Sequence, residues 1–439
     1  MSVLAGFSLP TTLIAQSSPR QPNVVIIVAD DLGYGDLSCY GAHRIQTPGM
    51  DRIANEGIRF TQGYCTAATS TPSRYSLLTG LYPWTNREAK ILPGNAALII
   101  NTQQVTLPKV MKQAGYVTGS VGKWHLGLGD GAVDWNKLVY PGAKEIGYDY
   151  SFIQAATNDR VPCIFIENGR GVNLDPNDPL YVSYKENFPG EPTGKVNRLH
   201  QPHVPRVPNE RFAGKSGMGP RGDVILEADW CVTEFLKEMD KLGLTENTLV
   251  IFTSDNGPVL DDGYQDQAVE LVGDHKMAGP LRGGKTSLYD GGTCIPFMLR
   301  WPAEVKPGTV SDALVCQMDL LASLSALIGQ TYSDKVDSQN TLPVFLGKGG
   351  NGRKELVLEG YFNYALRDGD WVMIPPYPDT YGDAEEAAFA GNSNCYQLYN
   401  VKEDIGQQVN LAEKEPKRLR QMMMTFERLK RETGKITNF

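Results

Sequence analysis

The sequence has no CxxC pair, only five histidines, no internal repeat, and no long apolar run beyond its N-terminus. The seven cysteines (39, 65, 163, 231, 294, 316 and 395) are odd in number and scattered, which excludes a zinc ribbon and a dense disulfide scaffold. Five histidines are also few for a centre built on several imidazole-bound zinc ions. A basic excess is missing too: 42 Lys and Arg face 50 Asp and Glu, for a net charge of −8. That balance argues against generic binding to nucleic acid or to an anionic membrane, so an anionic ligand needs a local basic pocket. What remains is a globular composition, 41% hydrophobic and 21% charged over 439 residues, with no membrane span. At about 150 residues per domain this gives two or three domains, or one large α/β domain with a smaller appendage.

Residues 1–20 stand apart. Val3 to Ala15 is apolar with small residues and runs into Ser17-Ser18-Pro19-Arg20. The pattern matches the apolar core and cleavage region of a secretory signal, without the usual basic start, since no Lys or Arg precedes Arg20. The expectation is export, to a bacterial periplasm, where one or two disulfides can form; the other reading is a disordered tail.

Asn23 to Ala29 (NVVIIVA) reads as a strand buried on both faces of a parallel sheet, and Thr248 to Thr253 as a second. Helical patterns run from Pro48 to Glu56, closed by Gly57, from Leu107 to Ala114, and from Asp223 to Leu242. A short strand is expected over Tyr116 to Val121. The alternation predicts an α/β fold: a large mixed, mostly parallel sheet flanked by helices over residues 21–352. Between about Asp130 and Pro220 the periodicity fades into long irregular connections. Residues 353–439 read as a smaller C-terminal α+β subdomain, with strands near Leu356–Leu358 and Trp371–Ile374 and a last helix over Glu413–Glu432.

Open α/β sheets bind ligands at the carboxyl ends of their strands. Two predicted strands end there in hard oxygen donors, Asp30-Asp31 and Asp255-Asn256. Asp and Asn also favour turns after strands, but three converging carboxylates repel one another unless a hard cation sits between them. All-oxygen ligation suits Ca²⁺, with Mg²⁺ second, rather than zinc.

The segment Cys65 to Gly80, CTAATSTPSRYSLLTG, resembles the signature of the formylglycine-dependent sulfatases of the alkaline phosphatase superfamily. In that signature a Cys or Ser followed by x-Pro-x-Arg is oxidised to formylglycine. The resemblance continues through Asp30-Asp31, the box Gly122 to Gly127 (GKWHLG), Asp255-Asn256-Gly257, Arg282-Gly283-Gly284-Lys285, Arg367 to Trp371, and Leu398-Tyr399-Asn400. It covers nearly the whole chain from Asn23 and implies an alkaline phosphatase-like fold and hydrolysis of sulfate esters, here on a sulfated carbohydrate.

Carried over residue by residue, the resemblance makes Ser70 the modified nucleophile and places Asp30, Asp31, Asp255, Asn256 and Ser70 around the cation. Arg74, four residues beyond Ser70, contacts nucleophile and cation. Lys123 and His125 flank the nucleophile, with His125 as a base; Lys285 holds a sulfate oxygen. His203, in Pro202-His203-Val204-Pro205, matches a histidine facing the scissile oxygen, and an imidazole can protonate a departing alkoxide near neutral pH. Six basic residues against one acid between Lys195 and Arg221 would draw a polyanion toward it. His275 resembles a sugar-subsite position, and Asp262, Asp266 and Asp274 are candidates for sugar hydroxyls. Serine at position 70 requires a bacterial-type formylglycine-generating maturase able to oxidise it, or else marks an inactivated Cys→Ser form. Cys294 stands where many relatives carry Arg. Two other readings stay open: a phosphate or phosphonate ester hydrolase on the same scaffold, and a catalytically inactive binder of sulfated glycans.

Overall fold

A computed structural model describes residues 21–184, 206–377 and 384–433. In chain order its strands are β1 (Asn23–Ala29), β2 (Ile58–Tyr64), β3 (Gly119–Lys123), β4 (Tyr150–Gln154), β5 (Phe165–Glu167), β6 (Arg170–Gly171), β7 (Thr248–Ser254), β8 (Phe297–Arg300), β9 (Thr309–Cys316), β10 (Glu355–Glu359), β11 (Tyr364–Asp368), β12 (Trp371–Ile374) and β13 (Gln397–Asn400). The helices that frame the site are α1 (Pro48–Asn55), α2 (Ser70–Thr79), α3 (Leu107–Gln113) and α4 (Gly219–Lys241).

The central sheet has the order β1-β7-β8-β2-β9. β1 with β7 and β2 with β9 pair in parallel, while β8 runs against both neighbours. The sheet is therefore mixed and mostly parallel, as the pattern predicts. Successive residues of a strand point to opposite faces, and β7 shows what that does. Val250 and Phe252 join Met50 and Ile53 of α1 and Leu236 and Met239 of α4 in one cluster. Leu249 and Ile251 join Leu107, Val110 and Met111 of α3 and Leu320 and Leu324 of the helix Leu320–Leu327 in another. Each fully buried side chain of this kind contributes about 1.5–3 kcal/mol. Gly57 follows α1 without a left-handed turn; a Cβ there would lie 1.9 Å from the Leu299 carbonyl, so close approach requires the glycine.

Two expectations are corrected. Among the described residues β1 is an edge strand, paired only with β7, and its residues are half-buried rather than covered on both faces. Its free edge meets a cavity of about 590 Å³ whose other wall is β3. The stretch after Asp130 also holds regular structure: β4 pairs in parallel with β3, and β5 and β6 extend that sheet. These strands are two to five residues long, too short for a periodicity to register.

The C-terminal subdomain is an antiparallel sheet, β10-β11-β12-β13, covered by the helix Pro416–Glu432. Met422 and Phe426 of that helix are buried, with Leu419, Met423 and Leu429 packed beside them. Arg367, 1% exposed, ties this sheet to the central one through Gln62 of β2 (2.6 Å) and to the short helix Asp290–Thr293 through Asp290 (3.3 Å). The seven cysteines are all free thiols. Among the described residues no helix is long and apolar enough to cross a membrane.

Candidate active site

Because β1 and β7 run in parallel register, with Ala29 opposite Ser254, the residues that follow them emerge side by side. Asp30, Asp31 and Asp255 each offer an oxygen within 4.8 Å of the others. Asn256 fills the fourth position: its amide nitrogen donates to Asp31 Oδ1 (2.7 Å), and its Oδ1 lies 3.4 Å from Ser70 Oγ. Gly257 lets this turn pass under the chain, since a Cβ would stand 1.9 Å from the Gly291 carbonyl.

β2 delivers the fifth element. It ends at Tyr64, and the chain enters α2 at Ser70, with Pro72 in the helix's first turn. The positive end of the helix thus lies at Ser70. Ser70 Oγ meets Asp255 Oδ2 (2.5 Å), Lys123 Nζ (2.7 Å) and Asp30 Oδ1 (3.4 Å). One turn on, Arg74 Nε donates to Asp255 Oδ2 (2.9 Å), with Nη2 3.9 Å from Asp30. Lys123, the last residue of β3, reaches Asp30 Oδ1 at 2.6 Å. Lys285 bonds Asp31 Oδ2 at 3.0 Å and stands 3.6 Å from Asp262.

Three carboxylates and three cations therefore share one nearly dry cluster, since none of Asp30, Asp31, Asp255, Arg74, Lys123 and Lys285 has a side chain more than 13% exposed. Burial works to raise Asp255, but Arg74 and Lys123 outweigh it and hold the carboxyl well below the usual range. Burial likewise works to lower Lys285, yet Asp31 and Asp262 keep it raised. The donor set of three carboxylates and one amide oxygen, without thiolate or imidazole, fits a hard divalent cation. With such an ion the cluster carries a net charge of +2, ready for an anionic ester.

His125 is 2% exposed and takes a left-handed backbone (φ 56°), a strain of the kind found at functional sites. Its Nε2 lies 3.0 Å from the Leu92 carbonyl, to which Arg160 also donates. Arg160 Nη1 stands 3.0 Å from the same Nε2, so a carbonyl acceptor and a guanidinium donor both face that nitrogen, while Nδ1 is buried and unpartnered among the described residues. Burial first, then Lys123 and Arg160, push the imidazole well below its ordinary pKa, so it stays neutral. Arg160 had no signature in the sequence; only the fold brings it 35 positions back to His125.

The remaining candidates scatter. His203 and His200 lie outside the described residues, as do Lys195 and Arg198. Arg206 and Arg221 are buried and bonded to Asp266 and Asp36, so they are not open to a polyanion. Asp274 is exposed and paired with Arg44 at 2.7 Å. The His275 side chain is 1% exposed and bonded to Asp36 at 2.9 Å, which puts it inside the wall of the site rather than on a sugar-facing surface. Cys294 is buried against a cavity of about 390 Å³ shared with Asp290, Tyr64 and Arg367.

Residues 22–330 match the family described as Sulfatase, and residues 284–433 match the C-terminal family of N-sulphoglucosamine sulphohydrolase. The chain belongs to the sulfatase family. It is 43% identical to the N-acetylgalactosamine-6-O-sulfatase of Bacteroides thetaiotaomicron, over 94% of this chain and 93% of that one. Human arylsulfatase A is 31% identical over 89% of this chain and 83% of its own. A solved 6S-sulfatase structure from work on glycosaminoglycan metabolism in B. thetaiotaomicron superposes with a TM-score of 0.89 at 42% identity, covering 93% and 99% of the two chains. This sulfatase is thus a sulfuric ester hydrolase on an alkaline phosphatase-like fold, with the carboxylates, lysines and arginine of its signature gathered around Ser70.

Proposed function

We propose that this sulfatase removes 6-O-sulfate from N-acetylgalactosamine units of a sulfated glycan. It does so outside the cytoplasm, after a maturase has converted Ser70 to formylglycine. The observation that carries the reading is the convergence on Ser70 Oγ of Lys123, Asp30, Asp255 and Asn256, in a chain 43% identical along its length to an N-acetylgalactosamine-6-O-sulfatase.

Sulfate esters are anionic and repel ordinary nucleophiles, so the site must first neutralise the sulfate oxygens. Lys123, Arg74 and Lys285 supply fixed positive charge at three points around residue 70. A calcium ion held by Asp30, Asp31, Asp255, Asn256 and the oxygen of residue 70 would add a Lewis acid to that charge. Formylglycine, as its hydrate, provides an activated oxygen and a second hydroxyl through which sulfate is expelled. His125, kept neutral by burial and by the cations beside it, would take the proton from that hydroxyl. His203 gives a proton to the departing sugar oxygen.

Sulfate release from defined monosulfated sugars tests the substrate. N-acetylgalactosamine 6-sulfate should be turned over well ahead of the 4-sulfate, of N-acetylglucosamine 6-sulfate and of an aryl phosphate. Preference for the phosphate, or glycan binding without turnover in matured protein, would overturn the proposal.

A further inference from the structure

Asp31 takes a left-handed backbone conformation (φ 56°). For a residue with a side chain this conformation is unfavourable, though less so for Asp than for most, and the surroundings hold it here. The peptides on either side of Asp31 are clamped. Its amide donates to Asp255 Oδ1 (3.2 Å), and the next amide, of Leu32, donates to Ser254 Oγ (3.1 Å). Its carbonyl accepts from Arg221 Nη2 at 3.0 Å.

Arg221 is itself held. The same nitrogen donates to Asp36 Oδ2, which also accepts the Gly33 amide at 2.8 Å. The other oxygen of Asp36 meets His275 Nε2 at 2.9 Å. The three side chains are 0%, 0% and 1% exposed, and they come from the turn after β1, the first turn of α4 and the loop after β7. Burial works to raise Asp36, but Arg221 and His275 hold it below its ordinary pKa, so its carboxyl is ionised. A buried ion group of this kind gives little net stability over well-packed apolar residues, which leaves its geometry as the thing to be explained.

We propose that the buried Asp36–Arg221–His275 group is a positioning device for the cation site, fixing the Asp31 peptide so that its carboxylate faces Asp30 and Asp255. The proposal rests on Asp31 being a cation ligand. His275 then acts through Asp36 and Arg221.

Calorimetric titration of the full chain with Ca²⁺ tests it. Arg221→Lys and His275→Gln should each weaken calcium binding about 10- to 100-fold, as loss of hydrogen bonds behind metal ligands typically does. Activity should recover at saturating calcium. Arg300→Lys serves as the comparison: Arg300 is equally buried and paired with Glu56 (2.6 Å), beside the opposite end of the sheet. It should lower the Tm and leave calcium affinity unchanged. Wild-type affinity in both folded variants would overturn the proposal; if Arg221→Lys does not fold, His275→Gln decides alone. Asp31→Asn separates the two readings. Unchanged affinity there would show that Asp31 is no ligand and would remove both, whereas lost affinity there with intact binding in Arg221→Lys and His275→Gln would sink the positioning role alone.

Discussion

Lys123 Nζ stands 2.7 Å from Ser70 Oγ and 2.6 Å from Asp30 Oδ1, so one ammonium bridges the nucleophile position and a carboxylate of the proposed cation site. Removing it takes away a charge aimed at the reacting group and leaves Asp30 less well paired. Lys123→Ala should lower kcat on an aryl sulfate at least about 10²-fold, the loss typical of a preorganised electrostatic contact, while far-ultraviolet circular dichroism stays native. A loss under about tenfold would show that Lys123 does not face the chemistry.

The donor set makes a second prediction. Chelation should abolish turnover, and Ca²⁺ should restore it better than Zn²⁺, because Asp30, Asp31, Asp255 and Asn256 offer only oxygen. Rescue that favours zinc would contradict the ligand assignment.

Much of this site is legible before folding. A β-branched run ending in Asp-Asp, another ending in Asp-Asn-Gly, and Ser-x-Pro-x-Arg opening a helix all announce local geometry, because strand ends and helix starts are short-range events. What joins distant segments leaves no such trace. Arg221 meets Asp36 across 185 positions, and nothing in the amphipathic pattern of α4 marks one of its first residues as a partner for the turn after β1. His275 shows the same limit: nothing in its sequence context marks it as buried and bonded to Asp36. β1 misleads for a related reason, since an apolar run reports burial by helices but not whether a second strand lies alongside.

Glu359 provides a pH-dependent test of stability. It ends β10 and exchanges backbone hydrogen bonds with Thr66 and Ala68, just ahead of Ser70. Burial raises its carboxyl to about 8, with Lys90 opposing. The folded pKa lies above the unfolded value of 4.5, so its contribution is fully present below that pH and is lost as the pH climbs toward 8. Glu359→Gln should therefore raise the Tm by about 2 °C or more at pH 8 and change it little near pH 4.5. An equal effect at both values would show that the carboxyl titrates normally.

The two histidines should separate by leaving group. If His203 donates to the departing oxygen, His203→Ala should cost about 10²- to 10⁴-fold on a sugar sulfate, whose alkoxide needs the acid, and far less on an activated aryl sulfate. His125→Ala should instead stall both substrates after one turnover, releasing one equivalent of alcohol per site without free sulfate. Equal losses on both substrates in the first variant, or steady turnover in the second, would mean the roles are exchanged.

The most direct test of the central claim is the mass of the peptide that contains Ser70, taken from active protein. Oxidation of serine to formylglycine removes two hydrogens and supplies the activation a plain hydroxyl lacks, so the peptide should weigh about 2 Da less than its sequence requires, with the modified fraction tracking specific activity. Full sulfatase activity in protein whose Ser70 peptide has the unmodified mass would contradict the account.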